Sequence, residues 1–459
     1  MSSLSFASLN IAPAQLKNLV LMGYEEMTAI QAEALPFGLV GDDLIAQAKT
    51  GSGKTAAFGI PLLDNVNSLD ATVQALVICP TRELSTQVAE ELRSLAKYKQ
   101  NIKITVLCGG VSIGPQIKSL SHGSHVVVGT PGRLHDLLKK QHLDLTKAQT
   151  LVLDEADRML EMGFKEQIAD VIDYLPKQRQ TMLFSATFPD DIVEISQRFQ
   201  QNPQEIIVES HHARAVIDQQ FYICQHQEKL QGLSRLINAN DFSQAMIFCN
   251  TKKLVAEVHQ YLQSKGISSI ALHGDMEQRE REQVLIQFKH KSANFLVATD
   301  VAARGLDIEA LPAVINYELP REQDTYVHRI GRTGRAGLEG VSLTIFTEKE
   351  RFKLGSLGKK LNQVFEYESI DSLPNNRITP SKPEFVTLYI SGGRKDKIRK
   401  GDILGALTKT ANIEGKYIGQ IDIAERSSYV AISSGQARNA SSRLNQSKIK
   451  GRKFKVGFC

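Results

Sequence analysis

Short runs of apolar and β-branched residues alternate with longer amphipathic stretches along most of this chain. The first runs are Asp43–Ala46, Ala75–Cys79, Ile102–Cys108, His125–Val128, Thr150–Leu153, Thr181–Phe184 and Glu205–Val208. Each is short and nearly continuous in apolar character, as a strand buried on both faces must be. Such strands, separated by helices, predict a parallel sheet. Residues 1–40 read as helical, with a turn at Gly23-Tyr24. The polar stretch Glu209–Ile217 reads as a linker. The pattern then repeats over Gln220–Cys224, Ala245–Cys249, Ser268–Leu272, Phe295–Thr299, Ala313–Tyr317 and Val341–Phe346. Two α/β domains in tandem are therefore expected.

Pro374, Pro380 and Pro383 mark a second linker, and beyond it the pattern changes. A strand Phe385–Ser391 precedes a helix that Asp402 could cap and that runs through Thr410. Strands Tyr417–Ala424 and Ser428–Ser433, a helix Gly435–Leu444 and a last strand Lys453–Phe458 follow. The order is βαββαβ, a small α+β domain. The expected organisation is a first domain over 1–209, a second over 218–370, a linker over 371–383 and the small domain over 384–459.

With 459 residues, 42% hydrophobic and 23% charged, the composition is that of a soluble globular protein. The five cysteines form no CxxC pair, which argues for a reducing compartment and against disulfides or structural zinc. The first twenty residues lack a signal-peptide pattern, and no apolar run reaches membrane-spanning length. A cytoplasmic protein with no membrane partner is expected. Charge is uneven. Residues 384–459 hold 15 Lys/Arg against 6 Asp/Glu, a net +9, which leaves −4 for the remainder of a chain whose total is +5. The tail carries the footprint of a polyanion binder.

The strongest chemical signal is Ala48-Lys49-Thr50-Gly51-Ser52-Gly53-Lys54-Thr55, between a strand and an apolar stretch that is helix-compatible until Pro61. Glycines let backbone N–H groups point inward, and a helix N-terminus adds positive partial charge. Lys54 is placed to reach the β- and γ-phosphates, and the Thr55 hydroxyl to hold Mg²⁺. The strict pattern opens on Gly where this chain has Ala48, the next smallest residue. Asp154-Glu155-Ala156-Asp157 follows the strand Leu151-Val152-Leu153, and strand ends are where ligands bind in open α/β sheets. Asp154 would hold Mg²⁺, and Glu155 would orient the attacking water and take its proton.

The tetrad spells DEAD, and the chain up to about residue 370 resembles the DEAD-box RNA helicases. The resemblance implies two RecA-like domains, ATP and Mg²⁺ as cofactors and RNA as partner. Ser185-Ala186-Thr187 matches the motif that couples ATP state to RNA. Pro80-Thr81-Arg82-Glu83-Leu84, Gly109-Gly110 and Thr130-Pro131-Gly132-Arg133 match RNA-contacting elements, which implies roles for Arg82, Gly110, Thr130 and Arg133. Gln31 matches the glutamine that reads adenine, and Phe6 the aromatic that stacks on the base. Met27 and Ala29 stand where the family usually has prolines. In the second domain, Ile247-Phe248-Cys249-Asn250-Thr251, Gln278 with Arg281, and Thr299 through Asp307 match further family elements. The resemblance implies RNA contacts for Gln278, Arg281 and Thr299, and a ribose contact for Asp307. His328-Arg329-Ile330-Gly331-Arg332-Thr333-Gly334-Arg335 suits arginine fingers, a role the family gives to Arg332 and Arg335.

The tail resembles the RRM-like domain of bacterial DbpA-type helicases. Its basic residues Lys395, Lys397, Arg399, Lys400 and Lys453 are the expected RNA contacts. Tyr389 and Tyr429 are the candidates for base stacking, although the basic loops are expected to matter more than paired rings. The implied function is an ATP-dependent RNA helicase of 50S assembly. The implied partners are hairpin 92 of 23S ribosomal RNA and 50S assembly intermediates, bound by a monomer. An ATP-gated RNA clamp with little unwinding fits the same motifs, and a DNA helicase fits them less well.

Overall fold

The fold is described from a computed structural model, over residues 5–48, 51–208, 217–240, 242–303, 311–334, 340–374 and 382–459. Two compact units divide the chain, one ending near residue 211 and the other running from there to the C-terminus.

The N-terminal unit opens with helices α1 (Pro13–Leu21) and α2 (Ala29–Val40). Strand β1 (Leu44–Gln47) and α3 (Lys54–Asp64) flank the Gly-rich loop. Then come β2 (Ala75–Ile78), α4 (Arg82–Leu95), β3 (Ile104–Leu107), α5 (Gly114–Leu120), β4 (Val126–Gly129) and α6 (Pro131–Lys139). β5 (Thr150–Asp154), α7 (Ala156–Glu161), α8 (Lys165–Asp173), β6 (Gln180–Ser185), α9 (Asp190–Phe199) and β7 (Gln204–Ile207) complete it. All pairings are parallel, and the order is β3-β4-β2-β5-β6-β1-β7. Each inner strand feeds side chains alternately to two apolar layers, one against α2, α3 and α4, the other against α6, α8 and α9. Here α3 does not stop at Pro61. It continues to Asp64, and Gly38 of α2 packs so closely that a Cβ there would sit 3.1 Å from the Pro61 ring. Tertiary packing outweighs one missing N–H.

The C-terminal unit holds β8 (Ile217–Ile223), α10 (Lys229–Asn240), β9 (Ala245–Cys249), α11 (Lys252–Ser264), β10 (Ser269–Leu272), α12 (Gln278–Lys289) and β11 (Phe295–Thr299). It continues through α13 (Asp300–Ala303), β12 (Ala313–Asn316), α14 (Gln323–Ile330), β13 (Gly340–Phe346), α15 (Arg351–Leu361) and the two-residue β14 (Glu368–Ser369). This sheet has the order β10-β11-β9-β12-β13-β8-β14. Ile217, expected in a linker, instead begins β8, because β13 offers it a partner at Gly340.

The same unit ends in a four-stranded antiparallel sheet. Its elements are β15 (Phe385–Ile390), α16 (Lys400–Gly405), β16 (Ile418–Ile423), β17 (Ser428–Ser433), α17 (Ala437–Gln446) and β18 (Val456–Phe458), in the order β16-β17-β15-β18. Asp402 does not open α16. The Arg399 residue is the N-cap, and the Asp402 carboxylate reaches back to its N–H at 2.9 Å. Leu388, Ile390, Val430 and Ile432 face inward against α16 and α17. The opposite face docks on the end of α12. There the buried His290 contributes Nε2 to Asp422 at 2.9 Å, and its Nδ1 lies 3.2 Å from the Thr387 hydroxyl. Ser292 meets that hydroxyl at 2.7 Å, and the Phe385 N–H donates to the Lys291 carbonyl.

Candidate active site and RNA-contact elements

A parallel sheet presents all its strand ends on one edge, where loops and helix starts face a ligand. In the N-terminal unit, strand order divides that edge. The Gly-rich loop, the DEAD tetrad and Ser185-Ala186-Thr187 follow the neighbouring strands β1, β5 and β6. The RNA-type elements follow β2, β3 and β4.

At the loop, Gly51 and Gly53 have φ of +83° and +92°. A Cβ on Gly53 would approach Gln31 Nε2 to 2.5 Å, so glycine is required twice over. Gln31 is buried at the start of α2. Its Nε2 donates to the Gly53 carbonyl at 3.1 Å, and its Oε1 accepts from the Thr28 N–H at 2.9 Å. An amide has a second N–H and a second lone pair beyond these two bonds. Ala48 is buried in the core, where its methyl is accommodated. Lys49 and Thr50 lie outside the described residues. Lys54, buried at the first position of α3, donates from Nζ to the Ala48 carbonyl at 2.9 Å. Phe6 is also buried, its ring edge-on to Tyr24 with centroids 5.8 Å apart.

Asp154 is the last residue of β5. Burial pushes its carboxyl up to about 6, with the Lys54 cation opposing and the neighbouring Glu155 adding to the rise. Its Oδ1 and the Ser52 hydroxyl are buried without hydrogen-bond partners. A buried carboxylate oxygen of this kind, near a lysine cation, fits Mg²⁺ carried by a polyphosphate. Glu155 has φ +52°, a left-handed backbone that a non-glycine residue holds only under constraint. Asp157 was not singled out from sequence, yet it joins the tetrad to the next strand. Its Oδ2 accepts from the Ala186 and Thr187 N–H groups at 3.2 and 3.0 Å and from the Thr187 hydroxyl at 2.9 Å. Arg158, also not singled out, places Nη1 3.2 Å from Glu155 Oε2.

On the other half of the edge, Arg82 begins α4 after the Thr81 cap, whose hydroxyl accepts from the Leu84 N–H. Gly110 has φ +74° and is exposed. Thr130 precedes α6, and Arg133 donates to the Val111 carbonyl at 3.0 Å, which ties the glycine loop to that helix. Arg82, Gly110, Thr130 and Arg133 thus share one side of the strand ends.

Three family models match this chain: DEAD/DEAH box helicase over residues 28–195, helicase conserved C-terminal domain over 228–337, and DbpA RNA binding domain over 387–457. The chain is 46% identical to the ATP-dependent RNA helicase DbpA of Escherichia coli (strain K12), over 98% of this chain and 99% of that one. It is 37% identical to the protein of the same name from Bacillus subtilis (strain 168), over 98% of each. Among solved structures, S. cerevisiae Dbp5 bound to RNA and ADP BeF3 matches with a TM-score of 0.72 and 32% identity, covering 81% of this chain and 97% of that one.

The chain belongs to the DEAD-box RNA helicases of the DbpA type.

It is thus an ATP-hydrolysing RNA helicase built on two RecA-like sheets and a small C-terminal sheet. In its second sheet domain, sequence reading passed over Arg329, the first arginine of the His328–Arg335 run. This side chain is 1% exposed and donates to both oxygens of Asp300 at 2.6 and 2.7 Å. It also donates to Asn250 Oδ1 at 2.7 Å and to the Glu318 carbonyl at 2.8 Å. It therefore locks together the ends of β9, β11 and β12. Arg332, expected as a finger, is buried, and its carbonyl accepts from the Leu311 N–H. Gln278 and Arg281 lie half-buried on the first turn of α12, and Thr299 ends β11. Asp307 and Arg335 lie outside the described residues.

In the helicase tail, Tyr389 and Tyr429 are opposite each other on the docked face, with ring centroids 5.7 Å apart. The Arg279 guanidinium of α12 lies 5.9 Å from the Tyr389 ring, and Tyr429 is buried. The face an RRM uses for stacking is thus covered by α12. The basic segments are brought together instead. Lys450 Nζ donates to the Lys397 carbonyl, joining the loop of Lys395, Lys397, Arg399 and Lys400 to the strand approach that holds Lys453. All five of these candidate residues remain at the surface. Lys395 also pairs with Glu425 at 2.8 Å.

Proposed function

We propose that this helicase acts in the cytoplasm on large-subunit assembly intermediates, held by its tail to hairpin 92 of 23S ribosomal RNA while it opens nearby duplex. The observation that carries this reading is the tail itself, a DbpA-type RNA-binding domain whose sheet face is covered and whose two basic segments meet at the surface. Recognition then rests on phosphate contacts and RNA shape.

For hydrolysis, Gln31 reads adenine and Phe6 packs on the base side. The loop Ala48–Thr55 cradles the phosphates, with Lys54 on the β- and γ-phosphates. Thr55 and Asp154 would hold Mg²⁺, which would neutralise charge on the phosphate oxygens. Glu155 orients water. That water adds to the γ-phosphorus, the bond to the β–γ bridging oxygen breaks with its electron pair going to ADP, and the water proton passes to Glu155. Arg332 and Arg335 stabilise the charge on the transferring phosphoryl, and Asp307 contacts the ribose. RNA is held by Arg82, Gly110, Thr130, Arg133, Gln278, Arg281 and Thr299.

The test is RNA-stimulated ATPase and strand separation with hairpin 92 carrying an adjacent duplex, against a hairpin of equal length and altered loop. Preference for the first, lost on deletion of residues after Pro383, is the expected result. The isolated tail should bind hairpin 92 with an affinity that falls steeply with salt, since phosphate neutralisation releases counterions. Equal stimulation by both hairpins refutes the ribosomal reading. Stimulated hydrolysis with no strand separation favours a clamp.

A further inference from the structure

We propose that Arg158 is a positioning residue for ATP hydrolysis, acting through the carboxylate of Glu155. This rests on the reading of Glu155 as the group that takes the water proton. Glu155 sits immediately before α7 and Arg158 on its first turn. Side chains on a helix lean toward its N-terminus, and residues three apart are neighbours. The guanidinium is therefore carried back over Glu155, and Nη1 lies 3.2 Å from Oε2, with each side chain only 4% exposed.

A guanidinium buried this far is costly without a counter-charge. The other two acids of the tetrad are engaged elsewhere. Asp154 faces Lys54, and Asp157 is bonded to the Ser185–Thr187 turn. Glu155 is the carboxylate in contact with Arg158. With Oε2 paired to the guanidinium, the carboxylate has a defined direction toward the attacking water. The left-handed backbone of Glu155 aims the side chain, and Arg158 stops it rotating. Without Arg158 the same carboxylate samples other rotamers, and misplacement of about 1 Å costs roughly a hundredfold in rate.

Steady-state ATPase of the full chain at saturating RNA tests this in Arg158→Met, Arg158→Lys, Glu155→Gln and the double variant Glu155→Gln/Arg158→Met. Arg158→Met should lower kcat by about 10–100-fold and leave the ATP KM within about threefold, because ground-state binding is untouched. Arg158→Lys should lose less, since it keeps the charge without the fork. In the Glu155→Gln background Arg158→Met should cost nothing further, the signature of residues acting as a unit. If Arg158→Met does not fold, the same cycle with Arg158→Lys carries the test. Near-wild-type kcat in Arg158→Met, or an equal loss in both backgrounds, overturns the proposal. Fast hydrolysis by Glu155→Gln would instead overturn the reading of Glu155 on which it rests. Slow Glu155→Gln beside full-rate Arg158→Met removes Arg158 alone.

Discussion

The two parallel sheets share one scaffold and differ in what they do with a lysine. Numbered within its own domain, each sheet has the strand order 3-4-2-5-6-1-7. In each, the helix after the first strand begins with a buried lysine, Lys54 on α3 and Lys229 on α10. With Ala75 set against Ala245, the first residues of the two second strands, the registers to the fifth strands match Asp154 with Tyr317 and Glu155 with Glu318. In the first sheet the lysine bonds a carbonyl and faces the carboxylate of Asp154. In the second, Lys229 is closed off by Glu350 at 3.0 Å and the Tyr317 carbonyl at 3.3 Å. Burial by itself pushes Glu350 up, but the Lys229 ammonium and the Thr347 bonds outweigh it and hold the carboxyl below its usual range. One scaffold thus keeps a lysine beside the Gly-rich loop in one copy, the cation proposed for phosphate, and consumes it as an internal ion pair in the other. The glycines Gly51 and Gly53 make the difference, since the second copy has the 3₁₀ turn His226–Glu228 at that place.

Replacing each lysine sharpens the contrast. Lys54→Ala should abolish hydrolysis, a loss beyond about 10³-fold, because it removes the buried lysine proposed to meet the β- and γ-phosphates. Turnover near the wild-type level at saturating ATP and RNA would remove the phosphate-loop assignment. Close behind, Arg332→Ala should lower kcat on the order of 10³-fold with a smaller change in ATP affinity, as for an arginine finger. If affinity falls while turnover survives, Arg332 is a binding group.

Lys229→Met should leave ATP affinity intact and destabilise the C-terminal unit by about 3 kcal/mol, read by urea unfolding. Glu350 would be left half-buried without its partner. The sign with pH follows from its lowered carboxyl. The stability that the pair contributes is present above the ordinary value of 4.5 and fades as pH falls through the lower folded value. The variant should therefore show less acid sensitivity than wild type, and an unchanged acid profile would separate Lys229 from Glu350.

The smallest effect on stability is expected at Asp154. Its raised carboxyl means the folded chain binds a proton more tightly than the unfolded one, so this group costs stability at neutral pH. That cost is relieved as pH falls through about 6 toward 3.8. Asp154→Asn should then raise the melting temperature of the nucleotide-free protein by about 2–4 °C while hydrolysis is lost. A lower melting temperature would mean that the carboxylate stabilises the empty site.

Much of this molecule was legible in the residues alone. Near-continuous apolar runs such as Leu76-Val77-Ile78 and Val126-Val127-Val128 cannot be half-exposed, so they specify inner strands of a covered parallel sheet. The Gly-rich loop and the DEAD tetrad declare their family by local spacing. The strand and helix order of the tail was legible as well, but the role of Asp402 as a back-reaching side chain rather than a cap depends on the backbone of Arg399, which residue type does not reveal.

Only the tertiary structure decided which residues share a neighbour. Pro61 stays helical because Gly38 packs against it, and Ile217 joins a strand because β13 pairs with it. Arg329 and Asp157 lie inside recognised motifs and Arg158 directly follows one, yet their work is to bond or pair with groups far apart in sequence or facing back across a helix start. The tyrosines of the tail were ambiguous for the same reason. Tyr389 and Tyr429 alternate outward from their own sheet as RNA-stacking rings would, and periodicity reports only which face a side chain takes. What covers that face is α12 with the residues that follow it, about a hundred residues earlier in the chain, and a non-local contact of this kind leaves no periodic signal in either segment.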